Sequence, residues 1–104
     1  MSASVSRETG PDRFEVSADG VVAGFAQFVD HDGRRVFFHT EVGEEFSGHG
    51  LAGIVVEEAV RATREEGLTV VPVCPYVAKW LTKHPEHEDI TSKPTPDDLA
   101  AIRG

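Results

Sequence analysis

Cys74 is the sole cysteine of the chain and stands directly before Pro75-Tyr76, while upstream His39-Thr40-Glu41-Val42 runs toward a loop ending Ser47-Gly48-His49-Gly50-Leu51-Ala52. These residues make a phosphate-bearing cofactor the first expectation. A glycine loop that opens a helix leaves backbone N–H groups unpaired at the positive end of the helix dipole, a ready site for phosphate or pyrophosphate. Gly48 and Gly50 let the backbone approach such a group closely, and the amides of residues 48–52 would be the donors. His49 would either help neutralise phosphate charge or stand in solvent. Cys74, held extended before a proline-started helix, lies where a helix end favours thiolate. One cysteine allows no internal disulfide, so Cys74 is a buried small side chain, a reactive thiol or an intermolecular contact. His39 and Glu41 share a strand face by period two, where one would act as a general base or both would be solvated.

Strands and helices must carry these residues. Residues 1–12 are polar, contain Gly10-Pro11 and lack periodicity, which predicts a flexible arm ahead of one domain over residues 13–104. Phe14 and Val16 alternate with polar residues up to the turn signal Asp19-Gly20; a second strand covers residues 21–29, with Gly24 as a bulge or close-approach point. After the turn at His31-Asp32-Gly33-Arg34 a third strand covers residues 35–42, so short connections make an antiparallel meander. Leu51, Ile54, Val55, Ala59 and Ala62 recur at helical spacing, and Gly67 marks the helix end near Glu66. The apolar run of residues 68–73 reads as a covered strand, parallel to the third through a right-handed crossover. Pro75 begins another helix that His84-Pro85 ends; residues 86–94 read as an acidic loop, and Thr95-Pro96-Asp97-Asp98 caps a short final helix.

This order of elements, with His39-Thr40-Glu41-Val42, Gly48-x-Gly50-Leu51-Ala52 and Cys74-x-Tyr76-x-x-Lys79, resembles the GNAT superfamily of acetyl-CoA-dependent N-acetyltransferases, in particular its compact single-domain branch of N-acetyltransferase domain-containing proteins. The resemblance spans roughly residues 13–89. It implies an α/β fold of the acyltransferase type, acetyl-CoA as cofactor and an amine acceptor, either a small molecule or a protein. The superfamily loop has the form Gln/Arg-x-x-Gly-x-Gly/Ala; Gly50 and Ala52 match it, and Ser47 departs, offering a hydroxyl in place of the longer side chain.

The same resemblance implies that strands three and four splay apart, that main-chain groups of Glu41 and Val42 bond the pantetheine arm, and that the thioester lies near Cys74. Cys74 would then accept the acetyl group or act as an acid toward the departing CoA thiolate. Tyr76 is the competing acid or a packing residue, and Lys79 a contact to CoA phosphates or a surface lysine. Superfamily members insert helices between the first two strands to wall the acceptor site. Only Asp19-Gly20 joins them here, which predicts an open acceptor side and admits an alternative: a CoA-binding or protein-interaction module with little catalysis.

A chain of 104 residues with ten Lys+Arg against eighteen Asp+Glu carries a formal charge of -8, which disfavours nucleic acid and anionic membrane surfaces as partners. Its 39% hydrophobic and 27% charged residues fit a globular domain. No apolar run approaches the ~18 residues of a membrane span, and the first residues lack a secretory core, so the cytoplasm is the expected compartment. His84, Glu86, His87 and Glu88 are not expected to hold a metal, because Pro85 breaks the helical geometry that would align the imidazoles.

Overall fold

The computed structural model describes residues 2–104; Met1, part of the expected arm, lies outside the described residues. Five strands form one sheet in sequence order: β1 (Ala3–Glu8), β2 (Arg13–Ala18), β3 (Val21–His31), β4 (Arg34–Val42) and β5 (Thr69–Pro72). The first four are antiparallel neighbours, and β5 joins β4 in parallel after the helix α1 (Leu51–Glu65). Both two-residue turns are as the Asp-Gly pairs predict: Asp19 and Gly20, then Asp32 and Gly33, all have positive φ, the backbone of hairpin turns whose twist matches the strands.

The meander has four strands rather than three, because residues 3–8 of the expected arm pair with β2 along their length. The apolar alternation that marks a strand is missing from β1, where only Val5 is half-buried. Arginine replaces it. Arg7 lays its guanidinium 5.4 Å from the Phe28 ring centre and pairs with Glu66 at 2.8 Å, beyond the end of α1.

One face of the sheet is covered by α1, which packs on all five strands. Its buried stripe is Leu51, Val55, Val56, Ala59, Val60 and Thr63, with Ile54 and Ala62 at the margin, so the buried face is rotated slightly from the expected one. Burying valines such as Val56 and Val60 contributes about 1.5–3 kcal/mol each. The helix stops as expected: Gly67 has positive φ, and the Leu68 N–H returns to the Thr63 carbonyl at 3.0 Å.

The helix α2 (Pro75–Thr82) packs beside β4 and β5. Part of the expected acidic loop instead winds into a 3-10 turn, Pro85–Ile90, fixed where His84 stacks on Trp80 at 3.8 Å and Arg64 grips Asp89 at 2.8 Å. Residues 91 and 92 then border β5: Thr91 bridges Val70, and the Ser92 N–H donates to the Val70 carbonyl. The last helix, α3 (Pro96–Arg103), begins in the predicted Thr95–Asp98 capping box and sits against β3 and β4. Asp98 is fully buried there, accepting two hydrogen bonds from Arg34 and lying 2.6 Å from His31 Nε2. The Arg34 guanidinium, foremost, holds the Asp98 carboxyl well below the usual carboxylate range.

Candidate functional site

The strands β4 and β5 part company halfway along β4. Their ladder runs from Arg34 opposite Thr69 to Phe37 opposite Pro72 and stops. There the Phe37 carbonyl accepts from both the Val73 and Cys74 N–H groups, at 3.0 and 2.9 Å, as the chain turns into α2. Residues 39–42 keep β3 as their partner on one edge, and β5 does not reach the other. The expected splay is therefore present, with Cys74 at its mouth.

At the same end of β4 stands the N-terminus of α1. Gly48 and Gly50 have φ of 84° and 70°, a left-handed backbone that glycine adopts without strain, and a Cβ at either would meet nothing within 4 Å. Gly50 is the helix N-cap without a side-chain cap, and the N–H groups of Leu51, Ala52 and Gly53 have no acceptor among the described residues. A cleft of about 280 Å³ opens over them, lined by Val42, Phe46, Ser47, Gly48, Gly50, Leu51 and Ala52. This lining has free amides and no basic side chain, so it fits phosphate through backbone dipoles alone. Phe46 was not anticipated; half-buried against the core, it is an apolar residue in an otherwise acidic and glycine-rich loop, and that contrast was its only signal.

The other candidates divide between the two faces of the sheet. Cys74 is 5% exposed, belongs to the core cluster under α1, and directs its Sγ–H to Thr40 Oγ1 at 3.5 Å. The Tyr76 hydroxyl approaches the first turn of α1, 3.7 Å from where a Cβ on Gly53 would stand, an ordinary contact distance. Tyr76 itself is 40% exposed. His39 and Glu41 do share a face, 3.4 Å apart, but it is the face away from α1, where His39 lies 5.6 Å from the Phe25 ring. A second cleft of about 250 Å³ opens on that side, lined by residues including Arg13, Gly24, Phe25, Glu41 and Glu45. Gly24 is the close-approach point: a Cβ there would collide with the Glu41 carbonyl oxygen.

Two candidates are peripheral. His49 is exposed in the loop, and Lys79 is exposed on α2; neither lines the cleft over the start of α1. Thr40 is the residue that sequence reasoning missed, although it lies inside the quoted strand motif. Period two alone leaves open which neighbour of His39 faces the helix.

A family model described as GCN5-related N-acetyl-transferase matches residues 13–90, and the chain belongs to that family. Among solved structures it is similar to a GCN5-like candidate N-acetyltransferase from Staphylococcus aureus, with a TM-score of 0.66 and 18% identity over 89% of this chain and 91% of that one. A ribosomal-protein-alanine N-acetyltransferase from Brucella melitensis biovar Abortus 2308 is similar at a TM-score of 0.51 and 19% identity, over 78% of this chain and 63% of that one. At these identities the likeness is one of fold. No curated protein sequence matches the chain.

Proposed function

We propose that this member of the GCN5-related family binds acetyl-CoA along the open half of β4 and transfers the acetyl group to an amine arriving from the side of the sheet that carries His39 and Glu41. The observation that carries the reading is the parting of β4 from β5 at Phe37, with Cys74 at the mouth and the free amides of α1 at the same end. In this reading the amides around Gly48, Gly50, Leu51 and Ala52 hold the pyrophosphate, and Ser47 adds a hydroxyl. The main chain of Glu41 and Val42 bonds the pantetheine arm as an added strand would, because β5 leaves that edge free.

Acetyl-CoA supplies an activated thioester when bound; the chain supplies orientation and proton handling. Cys74, buried at the mouth where β4 and β5 part, either takes the acetyl group as the CoA thiolate leaves or gives its proton to the departing CoA sulfur, and the Tyr76 hydroxyl, near the first turn of α1, is the alternative acid. His39 and Glu41, on the far face, are placed to take the proton from an ammonium approaching there.

The test is intact-protein mass spectrometry after incubation with acetyl-CoA, wild type beside Cys74→Ala, with CoA binding followed by calorimetry and CoA release followed across a panel of amines. An added acetyl group mapped to Cys74 supports covalent transfer. Amine-dependent CoA release without protein acetylation supports direct transfer. CoA binding with no release over the panel returns the chain to a binding module, a reading favoured by the cradle's lack of basic side chains. Absence of CoA binding would sink the assignment.

A further inference from the structure

Cys74 is the N-cap residue of α2, yet its side chain makes no capping hydrogen bond to that helix. The sulfur turns the other way. The only hydrogen bond it makes among the described residues is the one to the Thr40 hydroxyl on β4, at 3.5 Å across the mouth where β4 and β5 part. A thiolate at this buried position loses hydration, and only a donor aimed at the sulfur can replace it.

A break in the pleat brings Thr40 to this position. Phe37 lies in the core on the α1 side, so unbroken alternation would place His39 and Glu41 on that side as well. The register slips instead: Phe28 faces Phe37 but Gln27 faces His39, which leaves Phe38 as an extra residue on β4. Beyond it the side facing α1 is taken by Thr40 and Val42, with Val42 packed on the core and Thr40 on Cys74. His39 and Glu41 are sent to the opposite face. One inserted residue thus separates the thiol from the two groups that could deprotonate an amine, and sets a hydroxyl beside the sulfur.

We infer that Thr40 is the positioning residue for Cys74: its hydroxyl accepts from the thiol, donates to the thiolate, and holds the sulfur toward the gap between β4 and β5. A hydroxyl rotates to serve both states, which neither a carboxylate nor an apolar side chain can do. The role extends the reading of Cys74 given above, but it concerns a pair of side chains that exists without any substrate.

Iodoacetamide alkylation of Cys74, followed by intact mass across a pH series without acetyl-CoA, tests it. Thr40→Val keeps the β-branched shape and removes the hydroxyl; alkylation near neutral pH is expected to slow roughly tenfold and its pH profile to move alkaline. Thr40→Ser keeps the hydroxyl and is expected to stay within about threefold of wild type. A valine variant with the wild-type profile overturns the proposal. So does a serine variant as slow as the valine one, which would make the role one of packing. If the valine variant does not fold, Thr40→Ser against Thr40→Ala makes the same comparison, since both leave a similar gap and differ only in the hydroxyl. Because the assay omits acetyl-CoA, a fully active Cys74→Ala enzyme would remove Cys74 from the chemistry without touching this result.

Discussion

The two halves of β4 meet opposite demands with the same backbone. Residues 34–37 lie between β3 and β5, and Arg35, Val36 and Phe37 are buried. Residues 39–42 have β3 alone, and their side chains are half-buried or exposed. The closed half is locked by charge. Arg35, fully buried, gives paired hydrogen bonds to Asp30 and to Glu66, all between 2.8 and 3.0 Å, and lies 4.6 Å from the Phe28 ring centre. Arg7 completes the network from β1. In the open half the donors of α1 and the free edge of β4 have no partners among the described residues. The difference teaches how one strand divides its work: one end satisfies its polar groups internally, and the other leaves the open edge on which the proposed CoA site rests.

Breaking the closed half should give the largest effect. Arg35→Ala removes the buried guanidinium and its packing on Phe28, while Asp30 and Glu66, over a third exposed, keep Arg7, and it is expected to lower stability by about 2–3 kcal/mol in denaturant titration. Below its unfolding transition the variant should bind CoA within a few-fold of wild type. A loss of CoA affinity in the folded variant would show that the two halves are coupled.

Acid should attack the same end more gradually. Hydrogen bonding to Arg35, foremost, holds the Glu66 carboxyl down at about 2, from an ordinary value of 4.5. A depressed carboxylate stabilises the fold above its ordinary value and loses that contribution as pH falls through the folded one. Stability should therefore decline as pH drops from about 4.5 toward 2, with Asp98 adding to the loss in the same direction. Arg35→Ala should flatten this dependence, because Glu66 then loses its main charged partner and keeps only Arg7. An unchanged slope would assign acid sensitivity to other carboxylates.

The smallest effect on stability should come from the open half. Gly50→Ala places a Cβ where nothing stands within 4 Å, so the protein feels only the left-handed backbone, at about 1 kcal/mol. The ligand would meet the added methyl, and CoA affinity measured by calorimetry should fall about fivefold or more. A variant with unchanged affinity would remove the Gly50 amide region from the phosphate site.

Much of this molecule was legible before folding. The Asp-Gly turns, α1 with its Gly67 stop, the buried strand β5 and the capped α3 all follow from local chemistry that acts within a few residues. So does the grouping of Ser47, Gly48, Gly50, Leu51 and Ala52 around one cleft, since they adjoin a single helix start. The misses have a common origin. β1 is held by Arg7 reaching Glu66, 59 residues away, so nothing in its own composition marks it as a strand. Phe38 becomes an extra residue only against β3, and Thr40 finds Cys74 only after that slip.

Residue types and their spacing thus determined which groups are present and which local element carries each: a glycine-capped helix start, a thiol before a proline-led helix, a histidine and a glutamate on one strand face. Tertiary structure alone decided which of them meet. Period two places every second side chain together but does not say where the pleat breaks, and that break depends on pairing with another strand. It put Thr40 against Cys74 and turned His39 and Glu41 to the other side of the sheet.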